Sequence, residues 1–131
     1  MERRARLWLC LPPLLLLLID AALTLYGQPD GYWQGDFLLR REMNPVFDRL
    51  LSWRPAAFLG GCAAWGILIT LVVVFSPRRV AFLAALACSL GHTCGAASWL
   101  VQAGTTGWAL ALLLLLAASQ VFWWAARRSG A

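Results

Sequence analysis

Apolar residues fill four long stretches of the chain, and polar residues collect between them. Each stretch holds about 20 mainly apolar residues, the length that an α-helix needs to cross a bilayer. Backbone N–H and C=O groups find no water in lipid, so spanning segments must be helical. The pattern predicts spans over residues 7–26, 56–75, 80–103 and 107–126, with a polar outer segment over residues 27–55.

The outer segment contains one further helix signal, the sequence "NPVFDRLLSW". Asn44 stands at the N-cap and Pro45 at the first helical position, which are the positions these residue types favour. Apolar residues then share one face, as in a helix lying on a membrane surface. The predicted fold is all-α: a polytopic membrane protein in a single domain, residues 1–131, with four transmembrane helices plus a short amphipathic helix in the first outer loop.

Composition supports a membrane protein. Hydrophobic residues make up 61% of the 131 residues and charged residues 13%, whereas soluble domains carry about 25% charged residues. The net charge is +5, but the arginines stand at the ends of apolar stretches, so a nucleic-acid partner is not predicted. The predicted partner is the lipid bilayer, with a homo- or hetero-oligomer left open.

Arginine clusters orient the predicted spans. They precede the first span, lie between the second and third, and follow the fourth, so all fall on one side of the membrane: Arg3, Arg4, Arg6, Arg78, Arg79, Arg127 and Arg128. The positive-inside rule places that side, and both termini, in the cytoplasm. "MERRAR" before a leucine run also resembles a cleavable secretory signal, but Asp20 near the small-residue junction at Ala22 disfavours cleavage.

Two ionisable residues fall inside predicted spans. Counting back from Tyr26 at about 1.5 Å per residue puts Asp20 about 9 Å below the outer edge. A carboxylate in a span is expensive, so Asp20 is expected to face the bundle interior and a partner. Thr24, one turn on, can donate a hydroxyl bond to it. His92 is the only histidine; it either links helices by bonding Asp20 or Thr24, or handles protons or a metal.

Glu42 and Asn44, at the outer membrane edge, admit two interpretations. In the first, Asn44 only caps a helix, and Glu42 is solvated or pairs with Arg40 or Arg41. In the second, this segment folds into the mouth of the bundle near Asp20 and His92. Asp20, His92 and Glu42 are then candidate catalytic residues and a minimal set of metal ligands, and Thr24 and Asn44 complete a substrate or structural polar site. No cofactor is predicted.

Small residues at a spacing of four predict where helices approach closely, because lipid gives no hydrophobic reason for helices to associate. We expect the second and third spans to meet through two stripes, the span-two stripe (Cys62, Gly66 and Thr70) and the span-three stripe (Ala87, Gly91 and Gly95).

Four sequence pieces carry a family resemblance: "DAALT", "GQPDGYWQGD", "EMNPVF" and "GHTCGAASW". Their order resembles a family of small bacterial and archaeal four-helix membrane proteins, known only as a domain of unknown function, with an Asp-x-x-x-Thr pattern followed by Glu-x-Asn-Pro. The resemblance covers about the first three spans and implies no activity. It implies a bacterial or archaeal cytoplasmic (inner) membrane, and residues that belong together: Asp20, Thr24, Glu42, Asn44, Pro45 and His92.

Three functions follow from these observations. The chain has no HExxH, GxSxG or phosphate-binding glycine loop, which favours a structural or accessory membrane component with a polar site in the outer half of the bundle. The second function is a membrane-embedded enzyme that acts on a lipid or other apolar substrate through Asp20 and His92. The third is a proton-coupled small transporter, which at this size would work as an oligomer.

Overall fold

The computed structural model describes residues 3–130, with side chains from residue 5 onward, and all of the regular structure in that range is helical. Arg3 and Arg4, which the sequence assigns to the cytoplasmic arginine cluster, have side chains outside the described residues. Two single turns of 3-10 helix also occur, at Phe37–Leu39 and Val101–Ala103. The α-helices are α1 (Arg3–Tyr26), α2 (Asp30–Trp33), α3 (Pro45–Trp53), α4 (Pro55–Phe75), α5 (Arg78–Leu100) and α6 (Gly104–Ser129).

Three helical segments are long and apolar enough to cross a membrane: Ala5–Tyr26, Pro55–Phe75 and Arg78–Ser129. The third has 52 residues, more than twice the length that one crossing needs. A 3-10 turn divides it, and Gly104 follows with φ 68° and ψ −145°, a conformation that glycine adopts without a steric penalty. The chain reverses there, and α5 and α6 pack against each other.

Helix α1 is central, since it contacts α4, α5 and α6, and α5 in turn contacts α4 and α6. The buried face of α5 consists of small residues, which lets neighbouring helices approach closely. The hydroxyls of Ser89 and Thr93 on this face donate to carbonyls one turn earlier on α5, each at 2.7 Å. No unpaired hydroxyl is therefore left in the contact. The face comprises Ala81, Ala85, Ser89, Thr93 and Ala96.

The predicted contact between the span-two and span-three stripes is wrong. Gly66 faces α1, where a Cβ would lie 3.3 Å from Leu14 and 3.4 Å from Leu17. Gly91 is exposed, and a Cβ there would have no neighbour within 4 Å. Helix α5 carries small residues on two faces, and the spacing of these residues in the sequence does not show which face packs against the other helices. The face opposite the span-three stripe became the buried one.

Arginines tie the helix termini together at one end of the bundle. Arg6, at the start of α1, donates to the Val74 carbonyl at the end of α4, at 3.1 Å. Arg78, at the start of α5, donates to the Gly130 carbonyl just after α6. The Arg128 guanidinium lies 5.9 Å from the centroid of a tryptophan ring of α1, within the range of a cation–π contact.

The outer segment is packed onto the opposite end of the bundle. Helix α3 lies against α4, with the Phe47 and Phe58 rings 5.6 Å apart in an edge-to-face arrangement. Leu51 is fully buried. Leu50 fills the space over Gly61, where any side chain would collide with it. This packing fixes the position of the residues just before α3, which lie over the outer end of α1.

Candidate functional site

A cavity of about 1130 Å³ lies between α1, α4 and α5, beneath the segment 41–44. Its walls are mainly apolar, and polar groups collect towards its outer end. Ligand pockets in proteins typically occupy about 300–1,000 Å³, so the space is sufficient for a lipid-sized molecule. All of the residues predicted to form the polar site line this cavity: Asp20, Thr24, Glu42, Asn44 and His92.

Asp20 and His92 are in direct contact, and Trp65 completes a chain across three helices. His92 Nδ1 lies 2.9 Å from Asp20 Oδ2, and Trp65 Nε1 lies 3.1 Å from His92 Nε2. An indole nitrogen only donates, so Nε2 must accept. The ring proton therefore sits on Nδ1 and is donated to Asp20. These two contacts use both ring nitrogens of His92 and link α4, α5 and α1.

Gly95 makes room for the Asp20 carboxylate. A Cβ at residue 95 would lie 2.6 Å from Asp20 Oδ1 and 2.7 Å from Oδ2, closer than non-bonded atoms can approach. Gly95 stands one turn after Gly91 and three residues after His92. Because it has no side chain, the Asp20 carboxylate can lie against the α5 backbone beside the histidine. The sequence predicted Gly95 as a helix contact, and the structure shows it as the wall behind the acid.

Thr24 does not make the predicted hydrogen bond to Asp20. Its side chain is only 3% exposed and lines the cavity, yet within residues 3–130 its hydroxyl is neither donor nor acceptor in any hydrogen bond. Thr70 and Thr93 behave differently, because each donates to a carbonyl one turn earlier in its own helix. Thr24 thus presents an unpaired hydroxyl to the cavity.

Gln28 is a positioning residue that the sequence reasoning missed. It is 5% exposed, and its Nε2 donates to the carbonyls of Thr24 and Arg41, each at 2.8 Å. Its Oε1 accepts from the Arg41 N–H at 2.8 Å. One amide thereby joins the end of α1 to the outer segment and sets Glu42 over the cavity. The only sign of this role in the sequence is that Gln28, a polar amide, follows closely after the first predicted span.

Glu42 lines the cavity mouth and takes part in the turn before α3. Its Oε1 accepts from the Asn44 N–H at 2.8 Å. Asn44 caps α3 as predicted, since its Oδ1 accepts from the Val46 N–H at 3.0 Å. Arg40 does not pair with Glu42; its Nε lies 2.8 Å from Asp48 Oδ1. The segment therefore has both of the predicted roles: Asn44 caps α3, and the same turn forms the mouth of the cavity.

Burial raises the pKa of Glu42 above its ordinary value of 4.5, and the nearby carboxylates add to this, although hydrogen bonds from the Asn44 and Met43 backbone oppose it. A raised pKa means that the folded state holds a proton where the unfolded state has lost it. Stability therefore falls as pH rises through that window, and ionised Glu42 is unfavourable at neutral pH.

Glu42→Gln should be more thermostable than the wild type at neutral pH. Glutamine keeps the oxygen that accepts from Asn44 and removes the charge. The gain should shrink as pH falls towards the ordinary carboxyl value, and thermal unfolding in detergent between about pH 4 and pH 8 measures it. Asp30→Asn, on an exposed outer-segment acid, is the control. A gain that is the same at every pH would contradict the burial of the Glu42 charge.

The candidate metal set is not assembled. Within residues 3–130, no three histidine, cysteine, aspartate or glutamate side chains gather closely enough to hold an ion. Asp20 and His92 meet each other, and Glu42 stands apart at the mouth. The candidate catalytic role of His92 also meets an obstacle, because Asp20 and Trp65 occupy both ring nitrogens.

No family model, curated protein or solved structure matches the chain.

Proposed function

We propose that this protein binds an amphipathic, lipid-like molecule within a membrane. The observation that carries the proposal is the cavity of about 1130 Å³, which combines apolar walls with a polar outer end. A molecule with an apolar chain and a polar head matches both parts. Sites of this kind, mostly apolar with a few convergent polar groups, are the usual form of small-molecule sites.

The cavity opens between α4 and α5 to the surface that would face lipid. The residues on either side of this opening are exposed and also line the cavity, so an apolar chain has a route in from the bilayer. They are mostly small: Ala64, Trp65 and Leu68 on α4, and Ala87, Gly91 and Cys94 on α5.

The proposed topology has four spans, α1, α4, α5 and α6, with α3 as an amphipathic helix at the outer surface. The arginines at the opposite end support a cytoplasmic location for that end and for both termini. A bacterial or archaeal cytoplasmic membrane remains the proposed location. In this orientation the polar end of the cavity lies in the outer half of the bilayer, at a depth where a lipid head group can reach it.

Binding is favoured over catalysis because the histidine is engaged. A general base needs a free nitrogen within hydrogen-bonding reach of its substrate, and Trp65 occupies the nitrogen of His92 that Asp20 leaves free. The chain from Trp65 through His92 to Asp20 also joins three helices, so the predicted structural role of these polar residues and a binding site coexist in the same cavity.

Gly91→Phe should abolish binding of a fluorescent lipid analogue and leave the fold intact. A side chain at residue 91 enters open space at the lateral opening and would block it. Gly60→Phe is the matched control, because Gly60 is also an exposed helical glycine with open space around it but does not line the cavity. Fluorescence titration in nanodiscs measures the effect.

Equal binding by the two phenylalanine variants would contradict the proposal, since only one of them fills the opening. A difference between them supports the proposal if both proteins elute as the same species and unfold at similar temperatures. Binding lost in both variants, with the fold retained, would also count against the cavity as the binding site.

A further inference from the structure

We propose that the cavity selects amphiphiles whose polar head is a primary ammonium group, bound by Asp20 and Thr24 and attracted by Glu42 at the cavity mouth. This inference rests on the proposed function and adds the chemistry of the head group. It comes from three features at the outer end of the cavity: an uncompensated carboxylate, an unpaired hydroxyl that faces the cavity, and a second carboxylate from a different segment.

The charge of Asp20 is not neutralised within the bundle. Its one partner among the described residues is His92, whose other ring nitrogen lies against the Trp65 N–H, so a neutral imidazole there leaves the carboxylate charge uncompensated. Asp20 Oδ2 takes the bond from His92, and Oδ1 accepts none. The Asp20 side chain is 21% exposed and that of His92 13%, so little water reaches them. A low-dielectric site strengthens the attraction between such a charge and a cation.

The surrounding arginines do not supply that cation. Arg40 is paired with Asp48. Arg41 lines the cavity mouth, but its side chain is exposed, and water and salt screen a charge there. Glu42 adds a second negative charge on the cavity side of the same segment. The outer end of the cavity therefore attracts a cationic head group and repels an anionic one.

Thr24 provides the independent sign of a ligand. The Thr24 side chain is only 3% exposed and lines the cavity with an unpaired hydroxyl, whereas the other buried threonine of the spans, Thr93, bonds its own helix. Thr24 lies one turn after Asp20 on α1, so its oxygen and Asp20 Oδ1 can face the same group. A primary ammonium has three N–H donors, so it can donate to both of these oxygens, while Glu42 at the cavity mouth adds negative charge on the path of entry.

The apolar walls of the cavity favour an organic cation over a metal ion. A metal ion would leave most of the cavity unused, whereas an alkyl chain would fill it and extend through the opening between α4 and α5. Two sources carry a primary ammonium on an apolar body: a membrane phospholipid with a primary amine head, and a free long-chain amine. Both present the same chemistry to the site.

The test compares dodecylamine with dodecanol, which share one alkyl chain and differ in head group. The full chain is placed in phosphatidylcholine nanodiscs, and binding is followed by tryptophan fluorescence, since Trp65 and Trp99 line the cavity. Dodecylamine should bind at least about tenfold more tightly than dodecanol, the size expected from one charge-assisted hydrogen bond.

Asp20→Asn and Glu42→Gln should each reduce this preference for the amine about tenfold. Asparagine can still accept from His92, so the helix contact survives the change. Thr24→Val removes only the hydroxyl and should weaken the amine more than the alcohol. Asp30→Asn removes the same charge from an exposed outer residue and should change neither affinity, which controls for general attraction to the protein surface.

Equal affinity for dodecylamine and dodecanol would overturn the ammonium inference and leave the proposed function standing. Binding of neither probe would overturn both. If Asp20→Asn fails to fold, Glu42→Gln and Thr24→Val decide the question, and an unchanged preference in both overturns the inference. Phosphatidylethanolamine nanodiscs separate the two sources: weaker dodecylamine binding there identifies the lipid as occupant, unchanged binding identifies the free amine, and either result supports the ammonium site.

Discussion

Gly95→Ala should unfold at a clearly lower temperature than the wild type, with a loss of about 1–3 kcal/mol, the usual cost of forcing extra atoms into a packed site. A methyl group at residue 95 would lie 2.6 Å from Asp20 Oδ1, so the carboxylate must move away from His92. The contact that joins α1 to α5 would then be broken, and a buried donor on His92 would lose its acceptor.

Gly91→Ala is the matched control for this change. It lies one turn earlier on the same helix, and a Cβ there meets nothing within 4 Å. Alanine favours a helix over glycine by about 0.5–1 kcal/mol, so Gly91→Ala should be neutral or slightly stabilising. Thermal unfolding in detergent compares the two proteins. Equal midpoints would show that the Asp20 carboxylate does not occupy the space beside Gly95.

Gln28→Ala should release the outer segment from the bundle. The substitution leaves the Arg41 N–H and the Thr24 and Arg41 carbonyls without their amide partner. The bond to the Thr24 carbonyl is buried, and an unpaired buried group costs about 1–3 kcal/mol. Hydrogen exchange of the Arg41 amide should accelerate at least about tenfold, because local opening exposes it. Amphiphile binding should weaken with it, since Glu42 would no longer be held over the cavity.

Gln34→Ala is the control for the glutamine substitution. Gln34 belongs to the same outer segment, but its side chain is exposed and bonds to none of the described residues. Exchange mapped by mass spectrometry should therefore change over residues 36–54 in Gln28→Ala and stay at wild-type rates in Gln34→Ala. Protection at Arg41 that survives Gln28→Ala would contradict the role of Gln28 as a clamp.

Features that depend on local sequence were predictable. Long apolar stretches must form helices in lipid, so hydropathy located the three membrane-compatible segments, and the chain reversal near Gly104 falls in the gap predicted between residues 103 and 107. Asn44 followed by Pro45 marked the start of α3, because both residue types have specific roles at a helix N-terminus. Four spans and a fixed orientation remain proposals.

Features that depend on which helix faces which were not predictable. The predicted depths of Asp20 and His92 in the membrane allowed them to be partners. Their contact, however, requires α1 to pack against α5 beside Gly95, and the sequence does not show this. Trp65 carried no signal, because a tryptophan in a span usually faces lipid. Gln28 was overlooked since two of its three bonds reach a backbone 13 residues away, and no local rule connects a glutamine to such a distant segment.

Photolabelling with a long-chain amine that carries a diazirine on its alkyl chain tests the proposed cavity site most directly. Saturable labelling, abolished by excess dodecylamine, should map to residues 64–68 of α4 and 87–94 of α5, which border the lateral opening. Residues 112–116 of α6 provide the comparison, because Leu112, Leu113 and Leu116 are exposed and do not line the cavity. Labelling of α6 equal to that of α4 and α5, or labelling that excess dodecylamine does not reduce, would contradict the site.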